Sequence, residues 1–218
     1  MKKQLFKKII ICIIVVVMTF ETFAAERIIT GGIDSMLDNG PGAMTELLVA
    51  GDSYAERFYK DEKGRDLRLF PYFQEGHTIE ENWEKLFDAF TTCKKMLFLS
   101  ISVNDRHRNT HPSVFENQLR NLFAVAKMMN KYVFVHSYMY YDLSSANNFM
   151  FTTAEYDAMI RKVIMEFPDT VYFIDMSDCV GKEYMNEDGI HYNKKFNDTL
   201  YDRILFMIDY IKRKNKNE

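Results

Sequence analysis

Five apolar stretches punctuate the chain. Residues 46–51 (ELLVAG), 95–102 (KMLFLSIS), 131–139 (KYVFVHSYM) and 170–177 (TVYFIDMS) are short, largely apolar and rich in β-branched and aromatic side chains. Such near-continuous runs predict strands covered on both faces. The fifth, 67–73 (LRLFPYF), contains Pro71, which suits an edge strand or a strand end, because proline donates nothing to a ladder. Helical periodicity fills the gaps. Thr78 and Glu81 predict a capping box before ENWEKLFDAF; Ser113 and Glu116 predict another before a stripe of Val114, Phe115, Leu119, Leu122, Phe123 and Ala126. Thr152 and Glu155 open a third helix, and Phe196, Leu200, Ile204, Met207, Ile208 and Ile211 line one face of a last. Strands alternating with helices predict an α/β class with a parallel sheet and three layers. In such sheets the chemistry sits beyond the carboxyl ends of the strands.

The N-terminus is a separate object. MKKQLFKK is basic, IIICIIVVVM is apolar, and TFETFAAE offers small residues, the three parts of a secretory signal. The apolar run is about half the ~20 residues a spanning helix needs. The expectation is a signal peptide over 1–25, cleaved near Ala24 or Ala25, with an uncleaved surface anchor as the alternative. A single domain then covers 26–218, and the protein is secreted or held at the cell surface. Cys12 lacks the context of a lipid attachment site.

The whole chain has 218 residues, 47% hydrophobic and 15% aromatic, enough for one domain with a sizeable core. Losing residues 1–25 takes four lysines and one glutamate from its 28 basic and 31 acidic residues, so the net charge moves from -3 to -6. An acidic domain without a basic stripe argues against nucleic acid as a partner. The tail KRKNKNE reads as a solvated helix end. Cys93 and Cys179 lack metal-ligand spacing, and sequence leaves open whether they pair.

Three polar clusters fall just after predicted strands: Asp52-Ser53, Asn104-Asp105, and Asp188-Gly-Ile-His191. Ser53 alone reads as a helix cap, and Asp188–His191 alone as a turn. Together they offer a hydroxyl, a base and an acceptor that orients the base. An oxyanion needs donors aimed at it, for which the Ser53 backbone N–H, the Asn104 amide and the backbone of Gly76 are candidates. Arg106, His107 and Arg108 read as an edge that meets an anionic group, beside Asp105 as a loop stabiliser. His107 and His111, four apart, are a weak metal pair. The segment HSYMYYDLSSANNF, with Tyr138 and Tyr140, is placed to stack on a sugar or acyl group.

On these blocks, GDSY, Gly76, SVND and DGIH in that order, the chain resembles the SGNH hydrolase family of GDSL-type esterases and lipases. The resemblance implies a flavodoxin-like sheet of about five parallel strands, and Ser53 as nucleophile with Asp188 and His191. It implies Ser53, Gly76 and Asn104 as the oxyanion hole, and ester hydrolysis without a metal or other cofactor. Substrate contacts are then expected from Asp105, Arg106, His107, Tyr138 and Tyr140. Ser102 stands where the family usually has glycine, so the local backbone is open to change. The favoured substrate is an O-acylated carbohydrate. A polysaccharide acyltransferase and a catalytically silent carbohydrate-binding or surface-assembly protein are the alternatives.

Overall fold

A computed structural model describes residues 44–137 and 150–216. Five strands form one parallel sheet: β1 (Glu46–Gly51), β2 (Arg68–Phe73), β3 (Met96–Ser100), β4 (Tyr132–His136) and β5 (Val171–Ile174). Their spatial order is β2-β1-β3-β4-β5. The register runs straight across, Leu48 to Leu97 to Val133 to Val171. Pro71 sits opposite Val49 on an edge strand, where a missing N–H costs no ladder bond. Three of the strands stop short of their apolar runs. After Ser100, His136 and Ile174 the backbone leaves the sheet.

Connections between parallel strands need crossovers, and helices supply them. They are α1 (Ser53–Glu62), α2 (Trp83–Thr92), α3 (Val103–His107), α4 (Pro112–Met128) and α5 (Thr153–Ile164); α6 (Lys194–Lys216) follows the last strand. Side chains alternate along each strand, so the sheet has two apolar faces. Leu48, Ala50, Leu97, Leu99, Val133, Val135 and Val171 share one buried cluster with Leu86 and Phe90 of α2, Phe115 and Leu119 of α4, and Tyr156 and Ile160 of α5. On the other face Phe98 meets Phe58 of α1 at 4.6 Å between ring centroids, and Phe58 meets Tyr201 of α6. Truncating Phe58 or Phe98 to alanine costs about 3–5 kcal/mol for a ring so enclosed.

The helix starts differ from the sequence signals in two places. The Thr78–Glu81 box forms, with the Thr78 N–H donating to Glu81 Oε2 and the Glu81 N–H to Thr78 Oγ1. It closes only a turn, and α2 begins at Trp83 after Asn82. That turn is diverted to the site: the Ile79 N–H donates to Asp105 and the Asn82 amide to the Gly51 carbonyl. At α4 the cap is His111, whose Nδ1 accepts from the Ser113 N–H, with Pro112 at the first helical position. Ser113 is inside the helix, Val114 is exposed, and Glu116 pairs with Arg120 and Lys162. The Thr152–Glu155 box forms in full. Along α6, Tyr201 joins the buried face and Met207 is only half-buried. Trp83 packs half-buried against the core.

Candidate active site

The carboxyl ends of β1 and β3 and the turn before α6 converge. β1 ends at Gly51 with φ of 130°, and a Cβ there would lie 1.7 Å from the Ser100 carbonyl oxygen. Only glycine lets β1 pass β3 so closely. Asp52 caps α1, its carboxylate accepting the Tyr54 N–H at 3.0 Å. Ser53 follows as the first residue of α1, half-buried, where its own N–H has no partner within the helix. His191 Nε2 lies 3.0 Å from Ser53 Oγ, and its Nδ1 lies 2.9 Å from Asp188 Oδ2. A carboxylate on Nδ1 holds the proton there and leaves Nε2 as an acceptor for the serine proton. Asp188 Oδ1 takes the Ile190 and His191 backbone N–H groups, each at 2.9 Å. Burial pushes the Asp188 carboxyl up. The hydrogen bonds from these two amides and the His191 ring outweigh that and hold it at about 2. A serine, a base and a permanently charged orienting carboxylate therefore stand in line.

The second half of the site is built on the turn after β3. Ser102 takes φ of 105°, in the left-handed region that suits glycine, so the substitution keeps a glycine-like backbone. This bend starts α3 and presents Asn104, whose Nδ2 is buried with no hydrogen-bond partner among the described residues. Asp105 is buried, with its Oδ2 on the Ile79 N–H. Gly76 lies on an exposed turn with φ of 72° and open space around its Cα. Arg108 donates to the Gly76 carbonyl at 3.1 Å while pairing with Glu81 at 2.7 Å, which ties that turn to the α3 loop.

Beneath both halves lies a row of buried polar groups. His136 donates from Nδ1 to the Ser137 carbonyl, so its Nε2 accepts from Ser100 Oγ at 3.3 Å. Burial holds this imidazole neutral, down at about 4. Ser100 Oγ is 3.5 Å from Asp52 Oδ1. Burial pushes Asp52 up to about 7, with the Asp105 charge adding to it and the Tyr54 N–H opposing. Burial likewise pushes Asp105 up to about 7, against the Ile79 N–H. The Ser100 hydroxyl thus stands between His136 Nε2 and the Asp52 carboxyl, within hydrogen-bond reach of both.

Comparison with known proteins agrees with this architecture. No family model and no curated protein matches the sequence. Solved structures do. A GDSL-like lipase from Bacteroides thetaiotaomicron superposes with a TM-score of 0.65 at 11% identity, covering 88% of this chain and 97% of that one. A family 3 carbohydrate esterase from Clostridium thermocellum gives 0.59 at 18% identity, over 78% of this chain and 99% of that one. An acetyl xylan esterase from Geobacillus stearothermophilus gives 0.57 at 16%, over 78% and 95%. The chain has the SGNH hydrolase fold.

On that fold the structure brings Ser53, Asp188 and His191 into one hydrogen-bonded line, and it leaves the Asn104 amide unused nearby on the turn after β3. It sets Gly76 on a turn held by Arg108. The other expected residues are engaged within the protein. Asp105, read as a loop stabiliser, and Arg106 are 1% and 3% exposed. Asp105 anchors the Ile79 turn, and Arg106 Nε donates to the Phe151 carbonyl. Arg108 is engaged by Glu81 and Gly76 instead of awaiting an anion. His111 caps α4, so it does not pair with His107 around a metal. His107 is half-buried; burial lowers its pKa, and the charges of Arg106 and His191 lower it further. Tyr138 and Tyr140 lie outside the described residues. Cys93 and Cys179 are both buried and free.

Sequence reasoning missed Tyr54, Arg57 and Asn82. The Tyr54 hydroxyl donates to the Ile190 carbonyl, Arg57 lies 3.8 Å from Asp188, and Asn82 holds Gly51. Only Tyr54 left a signal, as the residue after the serine in GDSY.

Proposed function

We propose that this protein is a serine ester hydrolase acting on O-acyl groups, acetyl foremost, carried by carbohydrate outside the cytoplasm. The observation that carries the reading is the line Asp188–His191–Ser53, closed at 2.9 and 3.0 Å. Ser53 Oγ attacks the ester carbonyl and His191 Nε2 takes its proton. Negative charge on the carbonyl oxygen meets the Ser53 N–H at the positive end of α1, the Asn104 amide and the Gly76 N–H. Collapse breaks the ester C–O bond, and His191 returns the proton to the leaving alcohol. The acyl group stays on Ser53 until water, deprotonated by His191, attacks it and releases the acid. No step needs a metal or cofactor.

Carbohydrate is favoured because two of the structural neighbours above are named as carbohydrate esterases. The basic and apolar start of the chain, outside the described residues, favours export; among the described residues no helix is long and apolar enough to cross a membrane. The test uses residues 26–218 with p-nitrophenyl esters of increasing chain length and with acetylated xylan. Acetate release is expected, falling as the acyl chain lengthens, and lost by at least about 1,000-fold in Ser53→Ala. Full turnover in Ser53→Ala sinks the mechanism. A preference for long acyl chains sinks the carbohydrate reading alone.

A further inference from the structure

We propose that Tyr54 is a positioning residue for the acid–base turn: its hydroxyl, one residue from the nucleophile, holds the Ile190 carbonyl and so keeps the His191 ring on Ser53. The inference rests on the hydrolase reading and assigns a residue to that same site.

The geometry is specific. Tyr54 is 5% exposed on α1, and its hydroxyl donates to the Ile190 oxygen at 2.6 Å. The peptide linking Ile190 to His191 is thereby held at both ends, because its N–H donates to Asp188 Oδ1 at 2.9 Å. Asp188 fixes the backbone and the ring of His191 together, but it belongs to the same turn. It therefore sets the ring's orientation within the turn and leaves the turn's distance from α1 unset. Tyr54 sets that distance. Its ring centroid is 5.3 Å from the imidazole, tilted by 43°, and 4.9 Å from Tyr192. The tyrosine thus supplies a wall beside the base and a bond behind it. Ser53 and Tyr54 are covalent neighbours, so a bond from Tyr54 to the His191 peptide references base to nucleophile almost directly. Arg57, one turn further along α1, lies 3.8 Å from Asp188 Oδ2 and is 44% exposed, which makes it a weak second tie.

Histidine must accept a proton from Ser53 and then deliver it to the leaving alcohol, and misplacement by an ångström is costly for both transfers. A hydroxyl-to-carbonyl bond is a modest interaction, so its removal should lower kcat about five- to ten-fold. KM should stay within about two-fold, because the hydroxyl faces protein and not substrate.

The test is Tyr54→Phe in the full chain, which keeps the ring and deletes the donor. The expected result is a five- to ten-fold lower kcat with near-parental KM. Tyr54→Leu, which also removes the wall, should cost more. A purely structural tyrosine would lower the melting temperature while leaving kcat parental, and that result overturns the proposal. If Tyr54→Phe does not fold, difluorotyrosine in place of Tyr54 keeps shape and bond while making the phenol acidic. Ionisation then abolishes the donor, and a new basic limb in kcat is expected; its absence overturns the proposal equally. A parental protein that neither hydrolyses esters nor is labelled at Ser53 by a phosphonate refutes the hydrolase reading instead. In that case the downfield Nδ1 proton of His191, seen by NMR, still reports the clamp: it should weaken in Tyr54→Phe, and an unchanged resonance refutes the positioning role.

Discussion

The two halves of the site differ in how completely they are satisfied at rest. In the acid–base half, both oxygens of Asp188 are taken, both ring nitrogens of His191 are engaged, and the turn is closed by the Asn186 N–H on the His191 carbonyl at 2.8 Å. The oxyanion half is the reverse. The Asn104 Nδ2 donor is buried without a hydrogen-bond partner among the described residues, and Ser102, which leads into it, is held at a φ that strains any side chain. A buried unmet polar group costs about 1–3 kcal/mol, so the contrast is not free. On the proposed function it follows from the task of each half. His191 has to be oriented before any substrate arrives, so its bonds exist at rest. The oxyanion forms only as the carbonyl is attacked, and donors already spent on protein groups would have to be released first. Unused donors hold their gain for the transition state.

That difference can be broken by mutation. Asp188→Asn should cost about 10,000-fold in kcat, because an amide no longer holds the ring tautomer that accepts from Ser53. It should also lower the melting temperature, since two backbone N–H groups and the ring lose a charged acceptor. Asn104→Ala should cost about 100- to 1,000-fold in kcat with a smaller change in KM. Its melting temperature should hold or rise, because the side chain removed has an unpartnered nitrogen. Steady-state kinetics beside thermal melts of both variants decide the matter. If Asn104→Ala is as destabilising as Asp188→Asn, the amide is bonded at rest and the contrast is wrong.

A second way to sharpen it is pH. The Asp188 carboxyl is held at about 2, below its unfolded value of about 4. Its contribution is present above about pH 4 and lost as pH falls towards 2. Asp52 and Asp105, both pushed up to about 7, behave oppositely. Between about pH 4 and 7 the unfolded chain has released protons that the folded chain still binds, so stability falls as pH rises. The slope is at most about 1.4 kcal/mol per pH unit for each carboxyl. Asp52 faces the Tyr54 N–H, Ser100 with His136 behind it, and Asp105. Melting temperature should thus decline from pH 5 to 7 in the parent, and the decline should shrink in Asp52→Asn. A flat profile in the parent would show that both carboxyls are ionised throughout.

Much of the architecture was legible because its causes are local. Apolar runs, their spacing and the polar residue that ends each run are neighbours in sequence, so the alternation of strands and helices and the clusters at Ser53, Asn104 and Asp188 could all be read. Capping was legible only where no tertiary demand competed. The Thr152–Glu155 box opens α5, whereas the residues after Thr78 serve Asp105 and Gly51 and delay α2 to Trp83. Burial of Asp105 and Arg106 could not be read, since charged residues after a strand usually face water. Nor could the Tyr54 bond to Ile190, which joins residues 136 apart. Pairwise geometry over that distance leaves no trace in spacing.

The smallest effect concerns Ser102. A non-glycine residue in the left-handed region costs about 1–3 kcal/mol, and its buried Oγ has no partner among the described residues. Ser102→Gly removes both costs and adds about 0.5–1 kcal/mol of entropy loss on folding. The net gain should be about 1 kcal/mol, or a melting temperature higher by about 2–4 °C. Activity separates two readings of the strain. If the bend that begins α3 is imposed by the surrounding chain, glycine keeps Asn104 in place and kcat stays within about two-fold. If Ser102 itself stiffens the bend, glycine frees the turn and kcat falls while stability rises. Since Ser102 Oγ bonds nothing described and the Arg106 N–H already holds the Ser102 carbonyl at 3.0 Å, the first outcome is the one the geometry supports.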